Sequence, residues 1–151
     1  MPRSLRSFLF PDVNVWVALT YAGHVHHQVA RAWFEALDPE ERVCFGRFTQ
    51  LSLLRLLTTE AVMGAEVMTQ AEAWNVYDLW LSDSRVVFLE EPVNLDVPFR
   101  RLSRQKHANP KTWSDSYLAA FATAAGLRFV TFDRAFQGKT PQLLLLRPQA
   151  I

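Results

Sequence analysis

The chain predicts an α/β protein in which a parallel sheet of about five strands carries helices on both faces. Three observations support that expectation. Short apolar runs alternate with segments of helical periodicity along the whole length, as in strands joined by right-handed crossovers. Half of the 151 residues are apolar, enough to bury a core on each side of a sheet without staples. Finally, acids stand at element boundaries: Asp12 directly behind a short apolar run, Asp115 at the opening of a helical segment, and Asp133 directly behind a late apolar run.

In chain order, Phe8 to Phe10 reads as the first strand and Asn14 to Tyr21 as the first helix, with a turn at Gly23. The second helix, His27 to Leu37, places Val29, Ala32, Trp33, Ala36 and Leu37 at three-and-four spacing, and Asp38-Pro39 stops it. Val43 to Phe45 is a short buried strand. Thr49 is the expected cap of a helix running through Leu57. Thr69 caps the next, which carries Ala71, Trp74, Tyr77 and Leu81, and Glu72 completes a capping box. Val86 to Leu89 reads as the third strand, Val97 to Lys106 as a helix, Trp113 to Ala125 as a helix ended by Gly126, Arg128 to Phe132 as the fourth strand and Leu143 to Leu146 as the fifth. No repeat or long linker interrupts this series, so residues 1–151 read as one domain.

Composition narrows the function. The net charge is only +1, so any nucleic-acid contact must rest on a local basic patch. The main candidate is Arg100 to Lys111, where Arg101, Arg104 and Lys106 lead toward the helix that carries Asp115. Cys44 has no second cysteine to pair with, and neither a signal-peptide core nor a run of about 18 apolar residues is present, so a cytoplasmic protein without a membrane span is expected. Glycine-loop nucleotide motifs and the GxSxG nucleophile elbow are missing. His24, His26 and His27 read as a helix-entry loop. Trp33 and Trp74 read as core, and Trp16 and Trp113 lie closer to the acids.

Ligands of open α/β sheets bind outside the carboxyl ends of the strands, which puts Asp12 and Asp133 at one edge. Asp115, taken alone, is explained by the helix dipole. Three carboxylates brought together repel one another. Either one keeps a proton or a divalent cation binds among them, and hard oxygen donors select Mg²⁺ or Mn²⁺. Asn14 either meets a metal-bound water or caps its own helix. Arg55 either pairs with a site carboxylate or packs structurally. Ser114 and Thr131 are placed to hydrogen-bond near the acids, although capping and strand propensity explain them as well.

The fragments Asp12-Val13-Asn14-Val15-Trp16-Val17-Ala18-Leu19, His24 to Trp33, Leu54-Arg55-Leu56-Leu57-Thr58, Asp115 with Leu118-Ala119-Ala120, and Thr131-Phe132-Asp133-Arg134-Ala135-Phe136 occur in the order of the PIN-domain family. Together they resemble its VapC-like ribonuclease toxins of toxin–antitoxin pairs. The resemblance implies a PIN-like three-layer fold and a Mg²⁺- or Mn²⁺-dependent endoribonuclease that hydrolyses RNA phosphodiesters. It also implies Asp12, Asp115 and Asp133 as metal-binding catalytic acids, a homodimer, and inhibition by a cognate VapB-like antitoxin. One departure stands out: many relatives carry a glutamate in the third helix, where this chain reads Thr49-Gln50-Leu51-Ser52-Leu53-Leu54, and Glu60 lies about a turn beyond Arg55. Three acids favour one metal with several waters over two metals. Two alternatives stay open, a non-catalytic PIN-like module that binds RNA or protein, and an aspartate-based phosphotransferase or receiver-like domain.

Overall fold

The computed structural model of the chain describes residues 8–147. Five parallel strands, β1 (Phe8–Pro11), β2 (Arg42–Phe45), β3 (Val86–Phe88), β4 (Arg128–Thr131) and β5 (Leu143–Leu145), form one sheet in the order β3-β2-β1-β4-β5. Leu9 pairs with Val43 on one side and with Arg128 on the other, which puts β1 at the centre. The chain builds outward from β1 through β2 and β3, then returns to β4 and continues to β5. The direction therefore reverses between β1 and β4, and the crevice at such a switch point is the expected ligand position. A receiver-like domain has the order 2-1-3-4-5. The observed order overturns the receiver-like alternative.

Among the described residues seven α-helices join the strands: α1 (Val13–Thr20), α2 (His27–Glu35), α3 (Arg47–Leu57), α4 (Glu60–Met63), α5 (Gln70–Ser82), α6 (Asp96–Ser103) and α7 (Thr112–Ala125). Alternation along the strands sorts the core into two layers, because successive side chains point to opposite faces. Leu9, Val43, Phe45 and Val130 face one side, where they pack with α1, α2, α3 and α5. Phe10, Cys44 and Phe129 face the other, against α7 and α6. Ring stacks tie each layer to the sheet, with Trp16 on Phe45 at 3.8 Å and Phe10 on Phe121 at 4.6 Å. Gly46, where β2 passes into α3, lies so close to the second layer that a Cβ there would stand 3.2 Å from the Phe121 ring.

Local signals act as expected at several ends. Thr69 and Glu72 form the reciprocal capping box of α5. Gly126, at φ 68°, ends α7 in the left-handed conformation, and the Leu127 amide closes back onto the Ala122 carbonyl at 2.8 Å. Elsewhere the structure departs from the sequence reading. Helix α3 begins at Arg47, so Thr49 lies inside it, where its hydroxyl accepts from the Gly46 amide at 3.0 Å. Helix α6 stops at Ser103, because beyond Leu102 no apolar side chain remains to pack, and the Ser103 hydroxyl donates back to the Phe99 carbonyl at 2.6 Å. Arg104 and Lys106 therefore lie on the α6–α7 connection. Along α5 the buried positions are Ala73 and Tyr77, while Trp74 is 47% exposed. Trp16 is wholly buried.

Candidate active site at the switch point

Asp12 follows β1 and precedes α1, a position that fixes both of its backbone groups. Its amide donates to the Val130 carbonyl at 2.8 Å, extending the β1–β4 ladder by one bond, and its carbonyl accepts from Val15 and Trp16 as α1 begins. The carboxylate is thereby held at the carboxyl end of the central strand, only 7% exposed. Oδ1 accepts from the Val13 amide at 2.7 Å, and Oδ2 accepts from the Thr131 hydroxyl at 3.0 Å. Thr131, the last residue of β4, is fully buried, and its hydroxyl also accepts from the Asp133 amide at 3.0 Å. One hydroxyl thus links the two strand-end acids. Asp133 in turn caps the short 3-10 turn Arg134–Phe136, its Oδ1 accepting from the Ala135 amide at 2.9 Å.

Asp115 lies in the first turn of α7, the helix that leads into β4 from the same sheet edge. The three carboxylates act on one another through space. Burial pushes the Asp12 carboxyl up to about 6; the Thr131 and Val13 hydrogen bonds oppose the rise, and the charges of Asp115 and Asp133 add to it. Asp115 is also raised, chiefly by burial, with Lys139 opposing and Asp133 adding. Among the described residues, none of the three acids has an ion-pair partner. A desolvated carboxylate surrounded by its own sign is the circumstance in which a bound cation stabilises the site most.

The donor set fits a hard divalent ion, since all three groups offer carboxylate oxygens. Among the described residues, no three His, Cys, Asp or Glu side chains converge closely enough to grip an ion by themselves. An ion here would take one or two of the acids directly and fill its shell with water, as Mg²⁺ commonly does.

The other expected residues divide clearly. Thr131 joins the Asp12 carboxylate to the Asp133 backbone. Asn14 is exposed on α1, and the cap of that helix is Asp12 itself. Ser114 is half-buried beside Asp115. Arg55 is exposed in a groove between α3 and α5 with Leu51, Gln70 and Trp74, so it neither pairs with a site acid nor packs in the core. Arg101, Arg104 and Lys106 are exposed. The absent fourth acid has no substitute in α3: Gln50 is buried there and its Oε1 accepts from Arg47 at 2.7 Å. Glu60 is exposed in the first turn of α4, where the helix dipole accounts for it. The reading of the sequence missed Arg47, an exposed cation that opens α3 at the carboxyl end of β2 and lies over the Phe88 ring at 4.7 Å. Its only signal was its place directly after a strand.

Known proteins resemble the chain in sequence and in fold. The PIN domain family model matches residues 9–139. Ribonuclease VapC41 of Mycobacterium tuberculosis is 43% identical over 132 residues, covering 85% of this chain and 90% of that one. Ribonuclease VapC44 of the same organism is 28% identical over 131 residues, covering 82% and 84%. Among solved structures, VapC20 of M. tuberculosis, described as a Sarcin-Ricin loop cleaving toxin, superposes with a TM-score of 0.64 at 18% identity over 93% of this chain and 99% of that one. VapBC2 from Rickettsia felis, bound to a DNA fragment from its promoter, gives 0.65 at 14% identity over 92% and 98%. With this fold, its acids at the β1–β4 switch point and such relatives across most of its length, the chain belongs to the PIN-domain family, among the VapC-type ribonucleases.

Proposed function

We propose that the chain is a Mg²⁺- or Mn²⁺-dependent endoribonuclease, the toxin of a VapBC-type pair, in which Asp12, Asp115 and Asp133 hold the metal and present it to an RNA phosphodiester. The supporting observation is the desolvated Asp12 carboxylate, fixed at both oxygens, raised further by the charges of two more acids and without an ion-pair partner among the described residues. When bound, a divalent ion supplies neutralising charge for the phosphate oxygens and a more acidic water as nucleophile.

The chain's own residues set up that chemistry. The Val13 amide and the Thr131 hydroxyl orient Asp12, each leaving further lone pairs on its oxygen. Thr131 also fixes the backbone of Asp133, so the two strand-end acids keep a constant separation. Asp115 approaches from the first turn of α7, where the helix dipole also favours a phosphate. Arg101, Arg104 and Lys106 position the RNA backbone through phosphate contacts, which set register without reading sequence. Residues 1–151 act as one domain in this reading, which also includes a homodimer, a VapB-like antitoxin and a cytoplasmic location. The missing acid of α3 favours a single ion.

That same absence favours a second reading, a PIN-like module that binds RNA without cutting it. Incubation with a labelled RNA separates the two. The enzyme cleaves with Mg²⁺ or Mn²⁺ and stops when the ion is chelated. Binding that persists with no cleavage in either ion selects the module.

A further inference from the structure

We infer that the cavity between α6 and α7 is a pocket for one unpaired nucleobase of the RNA, entered over the first turn of α7 from the acids. This rests on the ribonuclease reading of those acids and adds a subsite that holds one base out of its stack. The cavity measures about 800 Å³ and is lined by Phe99 and Arg100 of α6, Arg104 and His107 of the connection, and Thr112 and Trp113 of α7. Trp113 is 59% exposed, an unusual place for an indole that is not contributing to the core. It is also braced. Its ring meets Phe99 in a T-shaped contact at 6.3 Å, Phe99 meets Tyr117 at 5.9 Å, and the Tyr117 hydroxyl donates to Glu91 at 2.8 Å. A rigid, half-free aromatic surface is what a base requires for stacking, and every base offers a suitable face.

The rim completes a nucleotide site. Asp96, the acid lining the cavity, is already engaged by Arg100 at 2.6 Å, whereas Arg104 and His107 have no carboxylate partner among the described residues. An aromatic wall with the Arg104 guanidinium at its mouth matches a base joined to a phosphate. An apolar helix from a protein partner would leave that cation unsatisfied. Position links the cavity to the acids. Thr112 lines it and precedes Asp115 by three residues, so the two share a helical face about 4.5 Å apart along the axis. Trp113 stands on the other side of that first turn, so a strand running past Asp115 reaches the indole by crossing the helix start beside Thr112. A base inside a duplex keeps both faces stacked and cannot enter.

The test uses the full chain with divalent ions chelated, so that binding is read without cleavage. Fluorescence anisotropy compares a hexamer of adenylate with an abasic hexamer of equal length and charge. Trp113→Ala should weaken binding of the adenylate hexamer roughly tenfold and leave the abasic one unchanged, while Trp113→Phe retains most of the affinity. Arg104→Ala should weaken both. An equal effect of Trp113→Ala on the two ligands, or none on either, overturns the proposal. So does unchanged binding with a shift in oligomeric mass, which would make Trp113 a subunit contact. Base-dependent binding by a protein that cuts no RNA when metal is restored would leave the pocket standing and remove the ribonuclease reading.

Discussion

Asp12→Asn should stabilise the metal-free protein, the opposite of the usual result at a buried polar residue. In the folded chain the Asp12 carboxyl is pushed from 3.8 up to about 6, chiefly by burial. At 1.36 kcal/mol per unit, that shift amounts to about 3 kcal/mol of destabilisation by the charged form. The sign follows from the direction. A raised folded-state value means that folding favours the protonated acid, so the cost is absent below about pH 4, grows between about pH 4 and 6, and is complete above that. Asparagine removes the charge and keeps an acceptor for the Val13 amide, but the Thr131 hydroxyl loses its carboxylate, at a cost of about 1 kcal/mol. The net gain is about 2 kcal/mol near neutral pH, or roughly 4–8 °C in Tm for a chain of this size. Thermal melts in chelator at about pH 4, 5.5 and 7.5 read it directly, and the advantage of the variant should vanish at the lowest pH. A variant less stable than the parent at neutral pH would instead make Asp12 a structural cap of α1.

Three further outcomes follow from the same geometry. Asp115→Asn should keep the fold, by circular dichroism, and lower metal-dependent RNA cleavage by more than about a hundredfold, since altering even an outer partner of a metal ligand costs about 10- to 100-fold in affinity or activity. Thr131→Val removes the hydroxyl shared by Asp12 and the Asp133 amide, and titration with Mn²⁺ should show affinity lower by about 10- to 100-fold. Replacing Arg101, Arg104 and Lys106 together by alanine should flatten the salt dependence of RNA binding by roughly 0.7 log units per lost phosphate contact without changing Mn²⁺ affinity; an unchanged slope would return these side chains to an ordinary solvated surface.

Much of the scaffold was legible because its signals are local. Short strands with apolar centres alternate with amphipathic helices, and Thr69 with Glu72 or Gly126 mark helix ends by chemistry that acts within a few residues. The strand-end acids were legible for the same reason, since Asp12 and Asp133 sit where strands stop. The hydrogen bond from Thr131 to Asp12 was not, because it spans 119 positions and depends on β4 lying beside β1. Register also hid the surface of α5: Trp74 and Leu81 fit a helical period as well as Ala73 and Tyr77 do, and only the placement of α5 against α3 decides which stripe is buried. The start of α3 was misplaced because Thr49 resembles a first cap, whereas the close approach of Phe121 and Phe10 reserves that corner for Gly46. The short α4 escaped notice because four residues carry too little periodicity to detect.

On the proposed function, three acids on separate elements form one metal centre that cuts RNA. Electron paramagnetic resonance of Mn²⁺ titrated into the full chain, with cleavage of a labelled RNA followed in the same samples, tests it most directly. One bound ion per chain is expected, with loss of that ion in both Asp12→Asn and Asp115→Asn and cleavage that rises and falls with occupancy. Mn²⁺ binding unchanged in both variants, or RNA cleavage that continues after the ion has been chelated, would contradict it.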